Sequence, residues 1–320
     1  MKRAIEHIAY GLLVLLTREI GSLPPRWGLA IGAGLGQLSY RLLRRRRHVV
    51  LENLRAAYPE KSELKIRTIA LAVFRNMGKL FFEICRFTCM DDEKLLELVE
   101  ISGLSHIQTA FEKGKGVLVL TAHFGNWELM PVLGALLTYP CSYVYRPLQS
   151  PVLEKFLART RTRYGGEKIP KKRSFRKILK FLDRKGLVFL LMDQNVRRQE
   201  GVFAPFFNRP ACTNKGLALL ALKTGAPVVP IFLLREETGF KGLILPEVPL
   251  VNTGDKEKDL EANTRAYNLA IESVVRQYPE QWFWVHHRWK TKPTDLKIDP
   301  KMNSKTNPRM EGECLTKKLT

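Results

Sequence analysis

His123 and Glu128 stand five positions apart in residues 117–131, VLVLTAHFGNWELMP. An imidazole takes up a proton near neutral pH, and a carboxylate within reach orients it and favours its charged form. Together they make the smallest set of side chains that performs general-base catalysis on a hydroxyl. No second His, Cys or carboxylate stands near them at metal-ligand spacing, so no metal site is expected here. A His and a Glu at this spacing also arise by chance, so the spacing alone leaves open a capped helix start without chemistry.

The elements that must position the pair can be read on either side of it. The apolar run 117–120 is short and rich in Val and Leu, which predicts a buried strand. The segment after Gly125 predicts a helix with Asn126 as its N-cap. Such a junction holds polar groups at the rim of an open α/β sheet, where the sites of these sheets lie. Further strands are predicted over 95–102, 141–145, 187–192 (ending at Asp193) and 228–234. Helices are predicted over 61–95, 151–163, 174–183, 215–224 and 260–277. This alternation implies an α/β fold.

The N-terminus has two apolar stretches, 8–16 and 27–35, interrupted by Arg18, Glu19, Pro24 and Pro25. Neither reaches the ~18 uninterrupted apolar residues of a spanning helix. The expectation is two short helices that embed in, or just cross, a bilayer, with a buried core hairpin as the alternative. No cleavage site of a signal peptide is convincing. Residues 1–40 therefore read as a membrane-associating segment, 41–293 as the catalytic domain, and 294–320 as a disordered basic tail.

The chain of 320 residues carries 53 Lys and Arg against 31 Asp and Glu, a net charge of +22. Such a surface seeks polyanions: nucleic acid, anionic lipid headgroups, phosphorylated sugars or an acidic carrier protein. The cluster Arg44-Arg45-Arg46-Arg47 adjoins Leu42 and Leu43, which favours an anionic membrane and its cytoplasmic side. A basic nucleic-acid-binding module is the rival of a different class. It is disfavoured by an apolar N-terminus and by the lack of a zinc, helix-turn-helix or RNA-binding signature. The five cysteines are irregularly spaced, which suits free thiols in a reducing compartment.

With its neighbours, AHFGNWE resembles the H-x4-D/E motif of glycerolipid-type acyltransferases. The fuller text resembles the lipid A late acyltransferase family, which adds secondary acyl chains to a lipid A precursor. Matching blocks follow in order: Phe74-Arg75-Asn76-Met77-Gly78 with Glu83 upstream, then Tyr145-Arg146-Pro147, Arg161-Thr162-Arg163, Asp193-Gln194-Asn195, Pro205-Phe206-Phe207, residues 224–230 and residues 281–290, QWFWVHHRWK. The resemblance covers roughly residues 5–293. It departs at His287, where an Arg is more usual, and at Asn208, where a Gly is expected.

The resemblance implies a glycerolipid-acyltransferase-like mixed sheet flanked by helices, with an N-terminal membrane-anchoring helical segment. It implies transfer of a fatty acyl group from a carrier thioester to the hydroxyl of a hydroxyacyl chain, through a ternary complex and without an acyl-enzyme. His123 would be the general base, and Glu128 would hold its tautomer and stabilise the imidazolium. The amides after Phe124, with Asn126, would hold the oxyanion. Arg146 and Arg161 would meet reacting groups or lipid phosphates, and Asp193 would orient Arg161. No cofactor is implied; acyl carrier protein or coenzyme A would bring the acyl group, and the basic surface favours the acidic carrier protein as partner. The other partners would be an anionic membrane, at the cytoplasmic face of a bacterial inner membrane, and a phosphorylated glycolipid acceptor.

Phe203, Phe206 and Phe207 would line an acyl groove or simply fill the core. Trp282, Trp284 and Trp289 with Arg288 and Lys290 would sit at a membrane interface or in the sheet. His286 and His287 read as structural. The nearest rival is an acyltransferase of the same type acting on a glycerophospholipid, an ornithine lipid or a phosphoinositol mannoside. A catalytically silent membrane scaffold is the remaining one.

Overall fold

The computed structural model describes residues 2–172 and 174–294, so the tail expected over 294–320 lies outside the described residues from 295 onward. The N-terminal third is helical: α1 (Lys2–Gly21), α2 (Pro25–Leu42), α3 (Arg44–Ala57), α4 (Glu63–Phe87) and the short α5 (Asp92–Glu97). Ser62 starts α4 by accepting a hydrogen bond from the Lys65 amide, 3.3 Å away. Helix α2 lies against α4 along Gly28, Gly32 and Gly36, which are buried in the contact. A Cβ at Gly32 would come within 2.6 Å of the Gly78 carbonyl oxygen, so only glycine lets the two backbones approach this closely.

Strands and helices then alternate: β1 (Val99–Ser102), α6 (Leu104–Glu112), β2 (Val117–Thr121), α7 (Met130–Leu136), β3 (Cys141–Tyr145), α8 (Pro151–Arg161), β4 (Glu167–Pro170), α9 (Phe175–Asp183) and β5 (Leu187–Leu191). A hairpin of β6 (Gly201–Phe206) and β7 (Arg209–Asn214) precedes α10 (Gly216–Thr224), β8 (Val228–Arg235), β9 (Phe240–Ile244) and α11 (Lys256–Gln277). Seven strands form one sheet in the order β1-β9-β8-β2-β5-β3-β4. Strands β8, β2, β5, β3 and β4 run parallel, whereas β9 is antiparallel to β8 and β1 follows β9. The sheet is thus mixed and flanked by helices.

Strands β2, β5 and β8 are continuous apolar runs because both faces of the sheet are covered. Successive side chains point to opposite faces. Leu118 and Leu120 join a core with α3, α4, α9, α10 and α11, while Val117 and Val119 join another with α5, α6 and α7.

Some boundaries differ from the sequence reading. The predicted strand over 95–102 is shortened to Val99–Ser102, because Leu95 is buried as part of α5. The helix expected directly after Gly125 begins as a single 3-10 turn, Trp127–Leu129, and becomes α-helical only at Met130. At the tip of the β6–β7 hairpin Phe207 and Asn208 have φ of 50° and 56°. That left-handed region favours Gly and tolerates Asn, which accounts for Asn208 standing where a Gly was expected.

Among the described residues no helix is long and apolar enough to cross a membrane. Helices α1 and α2 instead leave Ile8, Leu12, Leu15, Trp27, Ile31 and Leu35 more than half exposed.

Candidate functional site

The site follows from strand register. Strands β2 and β5 pair with Thr121 opposite Leu191. Two residues further along each chain stand His123 and Asp193, and neighbouring strands lie about 4.8 Å apart. The two side chains therefore meet at the carboxyl end of the sheet. Nδ1 of His123 lies 2.9 Å from Oδ1 of Asp193, and the His123 amide donates to Oδ2 at 3.0 Å. The Trp282 indole N–H donates to the same Oδ2 at 2.9 Å. Asp193 is buried, while His123 keeps 19% of its side chain exposed, so the ring remains reachable.

The carboxylate makes Nδ1 the protonated nitrogen and so puts the lone pair on Nε2. Burial alone would lower the His123 pKa. The charge and hydrogen bond of Asp193 outweigh it, with a smaller contribution from Glu128 and against Arg161, so the pKa stands above its ordinary value. Asp193 shifts the other way: burial would raise it, but His123 and the donated hydrogen bonds hold it below the ordinary carboxylate value.

The two carboxylates of the sequence reading have exchanged partners. Glu128 does not hold His123; it takes a two-point ion pair from Arg161, with Nε to Oε2 at 2.9 Å and Nη2 to Oε1 at 2.6 Å. Asp193 does not orient Arg161; it holds His123. The cause is geometric. The 3-10 turn carries Glu128 towards the C-terminal end of α8, while parallel pairing brings Asp193 to the imidazole.

Gly125 has φ of +55°, and a Cβ there would collide with the Leu233 carbonyl, so the loop between His123 and Glu128 requires glycine. The amides expected to hold an oxyanion are already engaged. Phe124 donates to the Ala122 carbonyl at 2.8 Å, Gly125 to Gln281 at 2.9 Å and Asn126 to Leu233 at 3.2 Å.

Asn126 occupies the N-cap position without a capping hydrogen bond, and its side chain is fully buried. It donates to Oε2 of Glu83 at 2.9 Å and so belongs to the scaffold rather than to a substrate surface. Glu83 also pairs with both Nε and Nη2 of Arg235, whose Nη1 donates to Asn76 at 3.0 Å. Arg146 is exposed just past the end of β3, the strand next to β5.

Gln194 was not among the expected site residues, yet its amide nitrogen lies 3.3 Å from Nε2 of His123. Its signal was its place directly after Asp193. Trp282 was assigned to a membrane interface or the sheet, and its role as a donor to Asp193 was not legible. Trp127 and Phe283 place their ring centroids 5.4 and 5.9 Å from that of His123 and give the imidazole apolar walls.

Phe206, Phe207, Trp282 and Trp284 are buried and pack on one another, which makes them core rather than an open groove or a membrane belt. Arg288 is buried beneath them, donates to Thr213 at 2.5 Å, and is lowered by burial to about 10. His286 accepts the Asn195 amide at 3.1 Å, and burial lowers its pKa, in keeping with a neutral structural acceptor. His287, at the position of the usual Arg, is exposed. Among the described residues no group of three or more His, Cys, Asp or Glu is arranged to hold a metal ion.

Comparison with known proteins places the chain among acyltransferases. The family described as bacterial lipid A biosynthesis acyltransferase matches residues 1–291. The lipid A biosynthesis lauroyltransferase of Escherichia coli (strain K12) is 29% identical over 267 residues, covering 82% of this chain and 85% of its own. The palmitoleoyltransferase of the same organism is 27% identical over 268 residues, with the same coverage of 82% and 85%. A phosphatidylinositol mannoside acyltransferase of Mycolicibacterium smegmatis (strain ATCC 700084 / mc(2)155) is 25% identical over 222 residues, covering 68% of this chain and 71% of its own.

Proposed function

This chain belongs to the bacterial lipid A biosynthesis acyltransferase family and is an acyltransferase, and we propose that it moves a fatty acyl group from an acyl carrier protein thioester to a hydroxyacyl hydroxyl of a lipid A precursor, with His123 as general base. One observation carries the mechanism. Buried Asp193 fixes Nδ1 of His123 and leaves Nε2 as a basic nitrogen beside a partly exposed surface.

The acceptor hydroxyl attacks the thioester carbonyl carbon while Nε2 of His123 takes its proton. A C–O bond forms and the carbonyl oxygen becomes an oxyanion. As the oxyanion collapses, the C–S bond breaks, and the leaving thiolate takes the proton back from the imidazolium. The negative charge of Asp193 stabilises that imidazolium. The thioester is already activated, so no acyl-enzyme is required.

The first amides of a helical turn have no partner within it. Those of Trp127 and Glu128, at the start of the 3-10 turn, take the oxyanion role that the earlier amides cannot. Arg161 spends Nε and Nη2 on Glu128, which leaves Nη1 for the reacting group or an acceptor phosphate. Gln194 stands where the acceptor hydroxyl must approach.

The exposed apolar residues of α1 and α2 support association with a bilayer, at the cytoplasmic face of the inner membrane. Arg44, Arg45 and Arg46 are exposed in the first turn of α3, where the helix dipole disfavours positive charge. A basic cluster kept at that cost is consistent with an anionic partner. The net charge of +22 favours acyl carrier protein over coenzyme A as donor.

The test is a transfer assay on detergent-solubilised full-length protein. Lauroyl, myristoyl and palmitoyl carrier-protein donors are offered with a tetra-acylated lipid A precursor, and His123→Ala runs in parallel. A product one acyl mass heavier, lost in the variant, is expected. The similarity to the mannoside acyltransferase makes a phosphatidylinositol mannoside the comparison acceptor. Transfer to that acceptor alone would replace the lipid A assignment, and transfer to neither would overturn the proposal.

A further inference from the structure

A cavity of about 660 Å³ lies between α1, α8 and the chain just past α4, and His123 is not among its lining residues. Its volume is that of a small-molecule site. Val14 and Phe156 give it apolar walls, and Arg18 and Arg159 stand at it as exposed cations. A third arginine, Arg163, is committed to the fold. It pairs with Asp92 at 2.5 Å and donates to the carbonyls of Phe87 and Met90, which clamps the chain after α4. Arg18 and Arg159 have no such commitment: among the described residues no carboxylate forms an ion pair with either.

Two further observations say what enters. The side chains that α1 turns to the cavity, at positions 10, 14, 17 and 18, lie on the opposite side of the helix from its exposed apolar stripe at Ile5, Ile8, Leu12, Leu15 and Leu16. The cavity is therefore roofed by a helix whose outer face suits hydrocarbon. Lys155 of α8 also sits 4.3 Å from the ring centroid of Tyr10, which ties the roof to the rest of the molecule and keeps the space formed.

We propose that this cavity is a second binding site that takes the phosphate-bearing headgroup of an anionic lipid. Arg18 and Arg159 hold the phosphate, and the Val14–Phe156 wall receives the first part of its hydrocarbon. Two uncompensated guanidinium groups match a phosphate monoester in charge and in paired hydrogen-bond geometry. The apolar wall separates a lipid phosphate from the free ion. The site does not depend on the acyl-transfer reading, because nothing in it uses His123, Asp193 or Glu128.

Cys89 provides a reporter. It lines the cavity and is exposed, whereas the other described cysteines, Cys85, Cys141 and Cys212, are buried. Trypsin cleaves after Arg86 and Lys94, so Cys89 is read in its own peptide, residues 87–94.

The experiment measures the rate of Cys89 alkylation by a small maleimide in the full chain held in neutral detergent. The additions are dihexanoyl phosphatidic acid, dihexanoylglycerol or inorganic phosphate. Phosphatidic acid at about ten times its dissociation constant is expected to slow alkylation about tenfold. Dihexanoylglycerol at the same concentration should not, and inorganic phosphate should protect only at much higher concentration. Arg18→Gln with Arg159→Gln should abolish the protection, and Arg18→Lys with Arg159→Lys should retain part of it. These side chains are exposed, so the variants keep the fold, which thermal unfolding checks. No protection by phosphatidic acid would overturn the proposal, as would equal protection by the uncharged glyceride or protection that survives the double Gln variant. Equal protection by inorganic phosphate would reduce the site to a free-phosphate site and overturn its lipid part.

Discussion

Two carboxylate–guanidinium pairs flank the loop that carries His123, and they share a geometry but not a setting. Glu83 and Arg235 join α4 to the end of β8 with side-chain exposures of 6% and 8%. Glu83 also takes the Asn126 amide, and Arg235 gives its remaining nitrogen to Asn76. Glu128 and Arg161 join the 3-10 turn to α8 with exposures of 11% and 19%. Their two mutual hydrogen bonds use only two of the guanidinium nitrogens. The same chemical pair is scaffold where its bonding capacity is spent and, on the proposed function, serves the site where some is left over. Changes to the first should cost stability and spare the chemistry of the molecules that fold; changes at the site should do the opposite.

His123→Ala gives the largest effect and calibrates the contrast on the site side. Acyl transfer should fall by about 10³-fold or more while a cooperative thermal transition remains. Glu83→Gln calibrates the scaffold side. It leaves the buried Arg235 cation without its counter-charge, a loss of about 3–5 kcal/mol. Denaturant unfolding measures it, and turnover per folded molecule should change little. Restoring part of that stability by adding Arg235→Met would confirm that the stranded charge is the cause.

Glu128→Gln should reverse the pattern, with transfer down about 100-fold and a stability change well below that of Glu83→Gln. If both Gln variants lose stability alike and neither loses turnover, the contrast fails. The smallest effect lies outside both pairs. Asn208→Gly at the positive-φ hairpin tip should move stability by only about 0.5 kcal/mol and leave transfer unchanged.

Much of this arrangement was legible in the chain. Strands β2, β5 and β8 announce themselves as short apolar runs because both faces of the sheet are covered. The helix predicted over 215–224 ends where expected, as Gly225 closes α10 in a left-handed conformation with φ of 63°. The partner of His123 was not legible from spacing, because the nearest carboxylate in sequence need not be the nearest in space. Asp193 stands 70 residues away and is brought in by parallel pairing. Its clue was its position at the end of a predicted strand, which gains meaning only once that strand is known to neighbour β2. Phe206 and Trp284 show a second limit. Aromatic type signals burial against something, and only packing distinguishes a core from a groove.

The pH dependence of kcat/KM for acyl transfer in wild type, Asp193→Asn and Glu128→Gln tests most directly the claim that His123, held by Asp193, is the base. A raised pKa keeps His123 protonated to higher pH, so the basic form appears, and activity rises, only above its ordinary 6.5. Removing the Asp193 charge should move that acid limb to lower pH and reduce the plateau, because the tautomer is no longer fixed. Glu128→Gln, which removes the smaller contribution, should move the limb less. A limb unmoved by Asp193→Asn, or moved further by Glu128→Gln, would contradict the account.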